Sequence, residues 1–142
     1  MKLIKLLFFV CLAVLSLHVY SQSPVLTVTV PNINPVQGEI QVSVFNSKTS
    51  FLKEGKEYKI YRFKVDKASG KFVINDLPKG EYAMIIYHDK NNNKEMDRSM
   101  LGIPKEGFGF SKNFKPKLSG PGFGDCSINL NTDMAIDIKL MY

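Results

Sequence analysis

Three features of the chain point to an all-β fold, a single antiparallel β-sandwich of about seven strands. Short runs alternate apolar and polar side chains with a period of two, the pattern of strands with one buried face. Turn signals rich in Gly, Pro, Asn and Asp separate these runs at intervals of about eight to twelve residues. After residue 21, no stretch carries apolar side chains at the three- and four-residue spacing of an amphipathic helix. No internal repeat is present.

The elements follow in order. Leu26, Val28 and Val30 alternate with threonines, and Pro31-Asn32-Ile33-Asn34-Pro35 ends that run. After Gly38, Ile40, Val42 and Val44 form a second alternating run through Phe45. These two strands are expected to pair as a hairpin. Residues 47–57 are polar apart from Phe51-Leu52, a loop with a short helical turn whose apolar pair caps one end of the core. Tyr58 to Val65 is a third strand, with Tyr61, Phe63 and Val65 on one face, and Lys71 to Asn75 is a fourth, with Phe72 and Ile74 inward. Asp76-Leu77-Pro78-Lys79-Gly80 is a tight connection in which Pro fixes φ and Gly permits positive φ. Tyr82 to Tyr87 is the most apolar strand and is placed centrally. Cys126 to Leu130, then Met134 to Leu140 after the turn Asn131-Thr132-Asp133, complete the set.

The first residues read as a leader rather than as part of the fold. Lys2 and Lys5 precede an apolar stretch from Leu6 to Leu17, and Val19-Tyr20-Ser21 offers a signal-peptidase site. The stretch is short for a membrane span, which needs about 20 apolar residues. Cys11 follows Val10, not the small residue a lipidated cysteine requires. The expected organisation is a signal peptide at 1–21 and a sandwich domain at 22–142, exported to the periplasm or secreted, with no membrane span after cleavage. The formal charge is +6, and the leader takes two of the positive residues with it. The remaining lysines are scattered among acids, which excludes the clustered stripe of a nucleic-acid binder. Cys126 is then the one cysteine of the domain. It lacks a nearby histidine to raise its thiolate fraction and is read as a buried strand residue.

One stretch reads as chemistry. From Asp89, oxygen-bearing side chains fall at Asp89, Asn91, Asn93, Glu95 and Asp97. This is the D-x-[DN]-x-[DN] opening of loops that wrap around calcium, because alternate residues of a tightly curled loop point inward. Glu95 in seventh place would offer its backbone carbonyl, and Asp97 in ninth place would bind directly or through water. Two positions depart from that pattern. Lys94 stands where a sharp turn favours Gly, and Met100 stands where a bidentate Glu closes many such loops. No flanking helices are evident, so the loop is not an EF-hand. Two readings stay open: a weak calcium loop, and an Asn-rich turn in which Asn and Asp cap their own backbone. A transition metal held with His88 is a third; His88 is otherwise a satisfied structural group or one that orients Asp89.

The Gly- and Phe-rich tract that follows places Phe108 and Phe110 in alternation with Gly107 and Gly109. The rings make either an aromatic shelf for an extracytoplasmic glycan or peptide or a lid folded over the sandwich. A hydrolase assembled from His88, Asp89, Glu106 and Ser111 requires all four around one cleft.

Two resemblances accompany these readings. The segment Phe72-x-Ile74-x-Asp76-Leu77-Pro78-x-Gly80-x-Tyr82 resembles a hairpin of prealbumin-like and carboxypeptidase-regulatory-like sandwiches, which places the fold among the immunoglobulin-like and prealbumin-like architectures. There Leu77 would plug the bottom of the sandwich and Tyr82 would cover its corner. The set His88-Asp89-x-Asn91-x-Asn93-Lys94-x-x-Asp97, Gly102-Ile103-Pro104-x-Glu106-Gly107-x-Gly109-Phe110-Ser111 and Gly120-Pro121-x-Phe123 resembles the bacterial exported domain of unknown function family 2141. That resemblance spans most of residues 25–142. It implies fold and address but no reaction, and family members usually carry Gly where this chain has Lys94. The expected function is that of an uncharacterised exported binding or structural module without enzymatic activity, with calcium as the one cofactor considered. A carbohydrate- or peptide-binding module is the alternative.

Overall fold

The computed structural model describes residues 22–117 and 119–142. The expected leader lies outside the described residues. The described residues form eight strands in two sheets with very little helix. They are β1 (Leu26–Val30), β2 (Glu39–Phe45), β3 (Lys59–Lys64), β4 (Gly70–Ile74), β5 (Gly80–Asp89), β6 (Phe108–Phe110), β7 (Ile128–Leu130) and β8 (Met134–Asp137). A single 3-10 turn at Ser111–Asn113 and a one-turn helix α1 (Phe123–Cys126) interrupt them. The smaller sheet has the order β4-β1-β8, and the larger runs β3-β2-β5-β6 with β7 also paired to β5. All pairings are antiparallel except β1 with β8. Among the described residues, no helix is long and apolar enough to cross a membrane.

The alternation fixes which faces meet. Leu26, Val28 and Val30 from β1 and Ile40, Val42 and Val44 from β2 are fully buried in one core, with Phe72, Ile74, Met84, Ile86, Leu130 and Ile138. Each such aliphatic side chain contributes about 1.5–3 kcal/mol on burial. β1 and β2 do not form the expected hairpin. They lie in opposite sheets, and the loop from Pro31 to Gly38 carries the chain between them. Identical period-two patterns arise on strands that face each other across the core and on strands that pair beside each other, so the pattern alone does not separate the two. The expected corner is present: Leu77 is fully buried, and the Tyr82 hydroxyl donates to Pro78 O at 2.9 Å. Beside it Asp76 accepts from Lys59 Nζ at 2.6 Å and from the Tyr61 hydroxyl at 2.5 Å. These bonds strap β3 to the connection leading out of β4.

β5 is buried on both faces. Its outward residues Ala83 and Ile85 meet a second apolar cluster of Phe45, Phe51, Phe110, Phe123 and Cys126. Phe51 enters this cluster while Leu52 is exposed, so only one member of the expected apolar pair closes the fold. Cys126 is buried as expected, yet it ends α1 instead of lying on a strand. Its carbonyl accepts from the Ser111 hydroxyl at 2.5 Å. The Gly-Phe alternation also has its explanation here. Phe108 and Phe110 pair with Tyr87 and Ile85 on the outer face of β5, and Gly109 opposite Ile86 faces inward. A methyl group on Gly109 would sit 2.6 Å from Lys139 O, so the last residues of the chain pass directly over its backbone.

Burial pushes the Cys126 thiol up to about 11, with the Asp125 carboxylate adding to the rise. The thiolate is therefore scarce at pH 8. A thiol reagent should leave the native protein unmodified on the minutes scale and modify it fully in denaturant. Rapid labelling of the native protein would contradict this placement.

Candidate functional site

The chemistry-bearing stretch begins inside β5. His88 and Asp89 are the last two residues of that strand, opposite Ile40 and Glu39 of β2, and both are buried. The approach that buries them depends on Gly38, whose φ is +73°. A side chain there would collide with the carbonyl of Asp89 and the Cα of Lys90, so only glycine lets the 31–38 loop lie against this strand end.

Beyond Asp89 the chain curls back on its carboxylate. Asp89 Oδ1 accepts the Asn93 N–H at 3.2 Å, and Oδ2 accepts the Lys94 N–H at 2.8 Å. Asn91 Oδ1 also accepts from Asn93 N at 3.2 Å, and Asn93 Oδ1 accepts from Glu95 N at 2.9 Å. The amide groups of Asn91 and Asn93 donate to the two oxygens of Asp97, at 2.9 and 3.0 Å. Asp89, Asn91, Asn93 and Asp97 thus form one hydrogen-bonded unit. Glu95 is exposed and contributes its N–H. The curl requires positive φ at Asn92 (+58°) and Lys94 (+66°). The turn therefore falls at Lys94, where the sequence pattern favours glycine, and a side chain in this conformation costs about 1 kcal/mol.

Glu106 closes the unit from the far side. It is 2 % exposed, Oε1 accepts Lys90 N–H at 2.8 Å and Oε2 accepts Asp97 N–H at 3.3 Å. One buried carboxylate thereby holds the start and the end of the loop. Asp89 and Glu106 both act on the neighbouring Tyr87. Burial first, then the Asp89 carboxylate, opposed in part by Arg62, pushes that phenol up to about 12, with Glu106 adding to the rise. In the sequence Glu106 is part of the motif set of the family resemblance and has a chemical role only in a hydrolase set. A readable signal was there: a single acidic residue in an otherwise Gly-, Pro- and Phe-rich tract must be exposed or matched by donors, and backbone N–H groups match it.

The other candidate residues are turned to structural tasks. The His88 ring points away from the loop. Its Nε2 lies 2.7 Å from Gln37 O, so this nitrogen carries the proton, and Nδ1 faces the Tyr142 hydroxyl at 3.4 Å. Ser111 is fully buried. Its hydroxyl accepts from Met84 N at 2.9 Å. His88 lies four residues further along β5 than Met84, about 13 Å away at the rise of a strand. His88, Asp89 and Glu106 lie at one end of the strand, and Ser111 does not join them. Phe110 is buried and Phe108 half-buried, with edge-to-face contacts from Phe108 to Phe110 at 5.9 Å and from Phe110 to Phe114 at 6.3 Å. These rings pack over β5, and Phe108 and Phe114 keep part of their surface in solvent.

Among the described residues, no three His, Cys, Asp or Glu side chains come together as a metal-holding group. The oxygen-rich loop differs from such a group because two of its four side chains are amides. Asparagine amides and carboxylates are both hard oxygen donors suited to calcium. The separations of 2.9 and 3.0 Å between the amide ends and the Asp97 oxygens match those of neighbouring ligands on one calcium ion at about 2.4 Å. Half a turn of each amide exchanges its nitrogen for its oxygen. Asn93 N–H then keeps Asp89 Oδ1 as its acceptor.

A family model described as an uncharacterized protein conserved in bacteria matches residues 28–138. No curated protein and no solved structure matches the chain.

Glu106→Gln removes one acceptor oxygen and directs an amide donor at a backbone N–H. It should destabilise the protein by about 1.5–3 kcal/mol in urea unfolding, and Glu106→Ala by at least as much. A loss below 0.5 kcal/mol (about the scatter of surface substitutions) would contradict the latch.

Proposed function

Since the chain belongs to the domain of unknown function family 2141, we propose that it is an exported, non-enzymatic β-sandwich module whose loop at 89–97 is tightened by weak calcium binding. The observation that carries this reading is the convergence of Asp89, Asn91, Asn93 and Asp97 in one hydrogen-bonded unit against a buried strand end. Asp89 supplies the deepest oxygen, Asn91 and Asn93 supply amide oxygens after their half-turn, and Asp97 supplies the rim. Bound calcium would replace amide-to-carboxylate hydrogen bonds with ion contacts and neutralise two carboxylates. The exported address and the calcium loop belong to one reading, because calcium outside the cytoplasm reaches the levels that a weak site requires.

The affinity belongs to the class of about 10⁻⁴–10⁻³ M. Lys90, Lys94 and Arg98 oppose a cation, and the strained φ of Lys94 lowers the stability of the curled loop. The non-enzymatic part rests on the use already made of the candidate groups. The His88 ring is buried, with Nε2–H donating to Gln37 O and Nδ1 facing the Tyr142 hydroxyl, and the buried Ser111 hydroxyl bonds Met84 and Cys126, so neither side chain opens onto a substrate.

Thermal unfolding in calcium and in chelator tests this reading. A ligand specific to the native state, at ten times its Kd, adds about 1.4 kcal/mol, which raises the Tm by about 5 °C for a domain of this size. Asn93→Ala should abolish the calcium-dependent part, and Lys94→Gly should raise the Tm in chelator and enlarge the calcium response. Equal midpoints in millimolar calcium and in chelator would remove calcium from the account.

A further inference from the structure

Two clusters bury the apolar side chains of the sandwich, and among the apolar residues left exposed three lie close together in the chain. Met100, Leu101 and Ile103 are 106, 86 and 60 % exposed. They occupy the tip of a hairpin whose base is the Arg98–Pro104 bridge. The tip has its own hydrogen bonds: Ser99 N–H to Ile103 O at 2.8 Å, Gly102 N–H to Ser99 O at 2.9 Å, and Ile103 N–H to the Ser99 hydroxyl at 3.2 Å. Lys105 N–H donates to Asp97 O at 2.8 Å, which fixes the hairpin to the latched loop. The protein thus builds an ordered projection and places apolar side chains where they add nothing to the core.

Within the hairpin the charges have one sign, although Glu95 and Asp97 precede it and the buried Glu106 follows it. From Arg98 to Lys105 the segment holds two basic residues and no acidic one. Both are exposed, and the one ion pair among the described residues is Lys59–Asp76. Arg98 Nη1 lies 3.3 Å from Gly102 O, which keeps the guanidinium beside the apolar tip.

We propose that this hairpin docks the protein on an anionic lipid surface: Met100, Leu101 and Ile103 enter the interfacial layer, and Arg98 and Lys105 contact lipid phosphates. The shape selects this occupant. The tip projects outward, and three side chains cover far less than the roughly 800 Å² per partner of a stable protein interface. A bilayer interface accepts a few apolar side chains and adds attraction for each basic residue held at its surface. The proposal does not depend on calcium.

Vesicle co-sedimentation in chelator tests it, with the exported protein purified from the extracytoplasmic fraction. The protein should pellet with phosphatidylglycerol-containing vesicles more than with phosphatidylcholine alone. The double substitution Met100→Ser/Leu101→Ser should lower partitioning at least about tenfold. Arg98→Gln/Lys105→Gln should lower it by about tenfold or more on anionic vesicles only. Leu101→Trp should show an emission blue shift on binding, in a chain that has no other tryptophan. All of these positions are exposed and leave the core untouched. Failure to pellet with anionic vesicles, equal pelleting of the serine variant, or unshifted tryptophan emission would each overturn the proposal, the first of them in favour of a protein partner for the tip.

Discussion

The structure depends on one strand that must be buried on both faces. β5 pairs with β2, β6 and β7 and is covered inward by the sandwich core and outward by the Phe45–Phe51–Phe110–Phe123 cluster. Such a strand cannot end in polar residues without partners, because an unmatched buried carboxylate is far too costly. Yet it ends in His88 and Asp89, both essentially without solvent exposure. The arrangement around that end follows from this constraint. Backbone N–H groups of the following loop are drawn onto Asp89, the carbonyl of Gln37 onto His88 Nε2, and the Tyr142 hydroxyl towards the remaining ring nitrogen.

Glu106 repeats the same solution on the return path. A second buried carboxylate collects the N–H groups of Lys90 and Asp97, and the segment between them has little conformational freedom left. Rigidity of this kind is useful in a loop that carries function, because residues beyond it inherit a fixed position. The hairpin at Arg98–Lys105 is the immediate beneficiary. The cost lies in the backbone, where Asn92 and Lys94 both hold positive φ. Asparagine tolerates this conformation and lysine does so less readily.

Most of the fold was legible in the sequence because period-two alternation and turn residues report directly on strands. The buried sets of β1, β2 and β4 fall where the alternation puts them, and the continuous apolar run of β5 marks a strand buried on both faces. Pairing was less legible, and β1 with β2 shows why: both present Val and Ile to the same core from opposite sheets. β6 was hidden because glycine has no side chain to mark a buried face, and its meaning emerges only when Lys139 is seen against Gly109. At the site, four side chains of the oxygen-bearing series hydrogen-bond together while Glu95 joins only through its N–H, and the glycine rule pointed to Lys94 as the point of strain. Of the Glu106 latch, only the need of a lone acidic residue for donors was legible, not which groups supply them. Its partners are main-chain N–H groups, which leave no trace in side-chain identity, and its distance along the chain from Lys90 is bridged only by the fold.

The central claim is that residues 90–97 are a built loop held by two buried carboxylates and not a loose polar turn. Residue-resolved amide hydrogen exchange on the calcium-free protein tests it most directly. The N–H groups of Lys90, Lys94 and Asp97 should be protected well above those of the exposed residues Glu54 and Gly55, since each donates to Glu106 or Asp89. Exchange of all three at the rate of an unstructured peptide would contradict the account.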